Sequence, residues 1–246
     1  MASLLLKIKR QDDPMDLPHW EIFEVALAPG VSLVDALRRI QMQPVTNEGI
    51  PTTPVLWDCS CEEGLCGACT VLVNGKARQA CGVMLDEFDG PVTIEPLTKY
   101  PVVRDLIVDR SSMMDALSRN LCWTDVDDLA PRGDRVKMTK DESDASCFLD
   151  CVMCGACSEA CPQVNSRSAF AGAFVFSSLL PVIRNRTGKE GAPSRLSALA
   201  GRGGVADCAG AENCERACPR GIPLVKASAI LSWDVAKSSL ARFFRG

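Results

Sequence analysis

The spacing of its cysteines constrains this chain more than any other feature. Of fourteen cysteines in 246 residues, eleven fall into three groups: Cys61, Cys66, Cys69 and Cys81; Cys151, Cys154, Cys157 and Cys161; and Cys208, Cys214 and Cys218. Disulfide scaffolds this rich in cysteine are a property of exported proteins. No N-terminal stretch here combines a charged region, an apolar run and a small-residue cleavage site, so export by that route is not expected. The cysteines are expected to bind metal.

The first group reads CEEGLCGACTVLVNGKARQAC, a C-x4-C-x2-C spacing followed by eleven residues and a fourth Cys. That is the plant-type pattern for a [2Fe-2S] centre ligated by Cys61, Cys66, Cys69 and Cys81. A loop that wraps three thiolates around two irons needs tight turns and close backbone approach, which Gly64 and Gly67 permit. Its backbone N–H groups are then free to point at sulfur and temper the negative charge. A structural zinc site is the alternative, and the x4 spacing without histidine fits it less well.

The second group, CVMCGACSEACP, is C-x2-C-x2-C-x3-C-P, the two-cluster ferredoxin run whose fourth Cys serves the other cluster. The third, CAGAENCERACP, has the same ending but carries Ala211 where a further ligand is due. Counting thiolates assigns Cys151, Cys154, Cys157 and Cys218 to a [4Fe-4S] cluster. Cys161, Cys208 and Cys214 remain, and three ligands suit a [3Fe-4S] cluster. Pro162 and Pro219 mark the exits of the two loops. Cys59 is read as a bystander, Cys122 and Cys147 as structural thiols, and His19, the single histidine, as a surface residue.

Along the chain, residues 3–10 and 20–28 read as a hairpin of two strands. Ser32 is placed to cap a short amphipathic helix, LVDALRRIQM. Asn74-Gly75 in TVLVNGKARQA marks a tight turn between two short strands, and PVTIEPL reads as another strand. Together these describe a small α+β domain with a mixed sheet, residues 1–110. The run VVRDLIVDRSSMMDALSRNL is expected to be helical in its second half, and the polar stretch around Pro131 and Gly133 reads as a linker, residues 111–145. From Ser146 the composition turns to alanine, serine and leucine, so residues 146–246 are expected to be an all-α domain with short helices around the cysteines.

Composition excludes several classes. A net charge of −4 offers no footprint for nucleic acid. With 47% hydrophobic and 24% charged residues the chain is expected to fold. The longest apolar stretch, from Ala169 to Ile183, is interrupted by Gly172, two serines and Pro181 and is too short to span a bilayer.

The stretches TTPVLWDCSCEEGLCGACTVLVNGKARQAC, YPVVRDLIVDRSSMMDAL, CVMCGACSEACPQVNSRSAF and NCERACPRGIPL together resemble the iron-sulfur subunit of succinate dehydrogenase and fumarate reductase, the complex II family, over nearly the whole chain. The likeness is greatest to the form found in Gram-positive and related bacteria. The resemblance implies an N-terminal β-grasp ferredoxin domain followed by an α-helical ferredoxin domain. It further implies a separate flavoprotein subunit holding FAD and a membrane-anchor cytochrome b subunit holding haem b. Electrons then run from flavin through [2Fe-2S], [4Fe-4S] and [3Fe-4S] to quinone, on the cytoplasmic face of the cell membrane, with no catalytic residue in this chain.

Ubiquinone-reducing members of the family carry a tryptophan shortly after the first ferredoxin run and a histidine after the first Cys of the second. Here those places hold Ser166 and Ala209, which favours menaquinone. Succinate oxidation and fumarate reduction share one ligand set, so the direction stays open. A zinc-binding interaction module is the alternative from another class. The C-terminal stretch, mixing Trp233, Leu240, Phe243 and Phe244 with Lys226, Lys237, Arg242 and Arg245, reads either as a helix lying on a membrane or partner or as one packed on its own domain.

Overall fold

The computed structural model describes residues 3–124, 138–185 and 188–244. The polar stretch around Pro131 and Gly133, and Arg245, lie outside the described residues. The chain divides into two units, Met1–Arg110 with Val152–Glu159, and Ser111–Cys151 with Ala160–Gly246.

The first unit is built on strands β1 (Ser3–Arg10), β2 (His19–Ala26), β3 (Thr70–Val73), β4 (Lys76–Gln79) and β5 (Val92–Glu95) and helix α1 (Leu33–Met42). The sheet order is β2-β1-β5-β3-β4. β1 and β5 run parallel, and the other neighbours run antiparallel. In β1 the pleat sends Leu4, Leu6 and Ile8 inward. They meet Phe23 and Val25 of β2, Leu33, Leu37 and Ile40 of α1, and Val92 and Ile94 of β5 in one core. Burying each of these side chains is worth about 1.5–3 kcal/mol.

Local chemistry fixes the ends of these elements. Ser32 Oγ accepts the Asp35 N–H, while the Asp35 carboxylate accepts the Ser32 N–H at 3.0 Å, a reciprocal capping box on α1. At the β3–β4 turn both Asn74 (φ 49°) and Gly75 (φ 75°) are left-handed, as a two-residue hairpin requires. Asn74 Oδ1 then accepts the Thr93 N–H at 2.8 Å and ties the turn to β5.

Beyond β5, the run starting at Val102 opens as a second small hairpin, β6 (Val102–Arg104) and β7 (Ile107–Val108). Its turn places Asp105, 1% exposed, against Arg10. Arg10 Nε donates to Asp105 Oδ1 at 2.8 Å, and Asp105 also accepts the N–H groups of Gln11 and Leu56. A charge this deeply buried persists because every lone pair has a donor.

The second unit is helical: α2 (Ser111–Arg119), α3 (Lys140–Ala145), α5 (Ala173–Arg184), α6 (Ala192–Leu199), α7 (Asn213–Arg216) and α8 (Leu224–Phe243), with α4 (Ala156–Ala160) crossing from one unit to the other in sequence. The segment read as a linker thus carries α2 and α3, both packed on α5. α5 is buried on nearly every side and runs through Pro181 without breaking. No helix among the described residues is long and apolar enough to cross a membrane.

α8 has two apolar faces. Leu224, Ala227, Leu231 and Val235 recur at helical spacing and are buried within the unit. Trp233, Leu240 and Phe244 form a stripe on another side of the helix and are exposed at 62%, 58% and 81%.

Candidate metal centres

The loop after Ser60 is shaped around one sulfur. Glu62, Gly64 and Gly67 all have positive φ, and this winding turns successive N–H groups inward. Cys61 Sγ accepts from Glu63 N–H at 3.4 Å, Leu65 N–H at 3.1 Å and Cys66 N–H at 3.2 Å. These donors, Glu63 foremost, bring the Cys61 thiol down to about 7. The loop therefore favours a thiolate at this position through its own backbone.

Cys69 and Cys81 approach from the β3–β4 hairpin, their sulfurs 3.5 Å apart. Burial pushes the Cys69 thiol up to about 12. Burial makes a bare thiolate costly at this position, so a charged Cys69 would need a cation beside it. An ideal Cβ on Gly64 would stand 3.2 Å from Gln79 Oε1, and Gln79 Nε2 is a buried donor with no protein acceptor. Arg110 donates to the carbonyls of Gly67 and Ala68 at 2.9 and 3.0 Å, bracing the loop between Cys66 and Cys69. These features fit a sulfur-rich anionic cluster. Cys59 is partly buried against the core beside the loop.

The first ferredoxin run begins in contact with this same loop. A Cβ on Gly67 would fall 2.5 Å from Val152 O and 2.9 Å from both Cα and Cβ of Cys154. Met153 and Gly155 are left-handed, a second winding of the backbone around cysteine sulfur. Tyr100 packs over Gly155 and Ser158 follows Cys157. Both hydroxyls are buried without a hydrogen-bond partner. Burial holds the Tyr100 phenol up at about 12, offset in part by the Ser158 hydroxyl, which lies close enough to interact with it though not in good hydrogen-bond geometry. Cys154 and Cys157 belong to the first unit, Cys151 and Cys218 to the second.

In the second unit Cys161 and Cys208 both lie near enough to Cys214 to act on its thiol electrostatically. Burial raises the Cys214 thiol, and proximity to Cys161 and Cys208 raises it further. Asn213 Nδ2 donates to Ala160 O at 3.1 Å, pinning the start of α7 to the end of α4, and Ser228 Oγ donates to Cys208 Sγ at 3.7 Å. Ala211 lies on this loop, where it offers no ligand.

Among the remaining sequence candidates, Cys122 is half-buried with its Sγ 4.0 Å from Val175 O of α5, and burial pushes its thiol up to about 12. Cys147 is exposed, so the structural reading does not hold for it. His19 is exposed, beside Glu21. Spacing did not indicate Gln79, Tyr100, Arg110 or Ser158; the signal that finds them is a buried donor left without an acceptor. No group of three or more His, Cys, Asp or Glu among the described residues stands as a site for a single metal ion.

A mixed-sheet unit whose loop stabilises thiolate sulfur, followed by a helical unit that gathers further cysteines, defines an iron-sulfur protein of the electron-transfer class. The model of a 2Fe-2S iron-sulfur cluster binding domain matches residues 5–115, and that of a 4Fe-4S dicluster domain matches residues 147–222. The succinate dehydrogenase iron-sulfur subunit of Bacillus subtilis is 39% identical over 96% of this chain and 94% of its own length. The fumarate reductase iron-sulfur subunit of Haemophilus influenzae is 31% identical over 82% of this chain and 81% of its own. In fold, the chain is similar to one in the Mycobacterium smegmatis Sdh1 complex in the apo form, with a TM-score of 0.73, 24% identity and 96% of each chain covered. The chain belongs to the family of succinate dehydrogenase and fumarate reductase iron-sulfur subunits, and its role is electron transfer within an oxidoreductase complex.

Proposed function

We propose that this chain is the electron-transfer subunit of a succinate:quinone oxidoreductase. It accepts electrons from the FAD of a flavoprotein subunit and delivers them to menaquinone at a haem b-containing membrane anchor on the cytoplasmic face. Its N-terminal unit is read as a β-grasp ferredoxin domain and its helical part as a helical ferredoxin domain. Cys61, Cys66, Cys69 and Cys81 would hold [2Fe-2S]; Cys151, Cys154, Cys157 and Cys218 would hold [4Fe-4S]; Cys161, Cys208 and Cys214 would hold [3Fe-4S]. When bound, such clusters supply one-electron carriers whose potentials depend on ligand, hydrogen bonding and burial.

The approach of Gly67 to Cys154 carries this reading. It brings the loop assigned to the first cluster against a cysteine assigned to the second, with no side chain between them. The chain's own work is to hold thiolates, to aim backbone N–H groups at Cys61 Sγ and to exclude water around Cys69 and Cys81. Ser166 and Ala209 stand where a ubiquinone site would need tryptophan and histidine, and they support menaquinone. The resemblance to fumarate reductase subunits supports a second reading, the same subunit working in the reverse direction.

Turnover of the purified complex with succinate and with fumarate, using menaquinone and ubiquinone analogues as partners, tests the assignment. Succinate oxidation coupled to menaquinone alone is expected. Fumarate reduction as the dominant activity would favour the second reading, and equal use of ubiquinone would overturn the choice of quinone.

A further inference from the structure

The loop of Cys154 and Cys157 carries two hydroxyls that the protein leaves without acceptors. Tyr100 is 7% exposed and Ser158 2% exposed, and neither Oη nor Oγ has a hydrogen-bond partner. Buried hydroxyls ordinarily find an acceptor. Ser158 is near enough to Tyr100 for the two hydroxyls to interact, but such a pair can satisfy only one of its two protons, and the other points to an acceptor the protein itself does not supply. Ser158 sits in α4, where a serine can bond the carbonyl four residues back, and it does not do so.

Their position indicates that group. A Cβ on Gly155 would lie 3.1 Å from Tyr100 Cε2 and 3.2 Å from Tyr100 Oη, so the tip of the phenol covers the backbone between Cys154 and Cys157. Both thiols are close enough to act electrostatically on the phenol, and both are buried. The sulfurs of these two cysteines are thus among the groups that surround the phenol tip.

We propose that Tyr100 and Ser158 donate hydrogen bonds to sulfur of the [4Fe-4S] centre held by Cys154 and Cys157, and that these bonds raise its reduction potential; this rests on the cluster assignment made above. The sign follows from charge. Reduction adds an electron to the cluster, donors stabilise the extra negative charge, and removing them favours the oxidised form.

The test is redox-poised EPR on the intact membrane-bound complex, comparing the unaltered protein with Tyr100→Phe, Ser158→Ala and the double variant. Tyr100→Phe keeps the ring over Gly155 and removes only the donor. The [4Fe-4S] midpoint is expected to fall in each variant and furthest in the double, on the order of tenfold in the oxidised-to-reduced ratio at fixed potential, about 59 mV for one electron. The [2Fe-2S] and [3Fe-4S] midpoints should stay in place. Pulsed EPR after exchange into D2O should show an exchangeable deuteron coupled to the reduced [4Fe-4S] centre and weakened in Tyr100→Phe. An unmoved [4Fe-4S] midpoint, or equal movement of all three centres, overturns the proposal. If Tyr100→Phe loses the centre, Ser158→Ala decides by the same criterion. Absence of a [4Fe-4S] signal from the unaltered complex would instead overturn the cluster assignment.

Discussion

Gly67 and Cys154 are 87 positions apart in sequence, and the backbone of one presses on the other so closely that a methyl group on Gly67 would reach 2.9 Å from Cys154 Cα and Cβ. Gly67 is also left-handed, at φ 73°. Two independent demands, a backbone conformation and a close approach, fall on one residue.

Gly67→Ala should therefore destabilise the first unit by about 2–4 kcal/mol, from strain at positive φ and from overpacking against Val152 and Cys154. Gly30→Ala is the control, since Gly30 has a similar φ of 76° and open space around it. It should cost only about 1 kcal/mol. Thermal unfolding of the two variants, read with their iron content, separates the effects: equal losses would mean that the Cys154 contact contributes nothing.

Asp105 joins β1, the Leu56 backbone and the β6–β7 turn. Asp105→Ala leaves Arg10 buried beside Glu21 with its main partner gone and should cost about 3–5 kcal/mol. Urea unfolding measures this directly. A loss below about 1 kcal/mol would show that the Glu21 carboxylate and Thr53, whose Oγ1 accepts from Arg10 Nη2 at 3.0 Å, suffice to hold the guanidinium.

The α1 capping box gives stability a pH dependence. Hydrogen bonds from Ser32, side chain first and then backbone, hold the Asp35 carboxyl below its ordinary value. The depressed folded-state pKa contributes stability that is present above the unfolded value, near about 4, and is lost as pH falls through the folded value. Asp35→Ala should cost about 0.5–1 kcal/mol at pH 7 and progressively less below pH about 4. A difference that does not change across this range would remove the carboxylate from the account.

The outward stripe of α8 calls for point variants rather than truncation. Cutting after Ser232 also removes buried Val235 and the Arg184–Asp234 ion pair at 2.7 Å, so it damages the unit's own packing. Trp233→Ser with Leu240→Ser and Phe244→Ser spares that inner face. If the stripe rests on membrane or anchor, this variant should fold with an unchanged melting temperature and be recovered from the soluble fraction. Full retention on membranes would leave the stripe without that role.

Cys147 and Cys122 should differ in reactivity. Exposed Cys147 should be alkylated rapidly in the folded protein, while Cys122, desolvated and held up at about 12, should react only on unfolding. Mass spectrometry of tryptic peptides distinguishes them, and equal labelling would contradict the burial of Cys122.

Much of the first unit is legible in sequence because its signals are local. Ser32 and Asp35 are three residues apart, Asn74-Gly75 carries its own turn geometry, and alternation in residues 3–10 marks one buried face. The cysteine spacings are local too. What the sequence hid depends on distant neighbours: nothing near Gly67 announces Cys154, and Tyr100 is unremarkable until it is seen buried over Gly155. The two short strands of β6 and β7 are too brief for a period to show. The inner and outer stripes of α8 overlap in sequence, so only burial separates the face that packs on its own unit from the one left exposed.

Redox-poised EPR of the intact complex, with metal analysis of the same sample, tests the central claim most directly. The account predicts three separately titrating centres, one each of [2Fe-2S], [4Fe-4S] and [3Fe-4S] type, all reduced on adding succinate or a stronger reductant. A colourless, EPR-silent chain containing zinc would contradict it, as would a third centre that proves to be [4Fe-4S] despite Ala211.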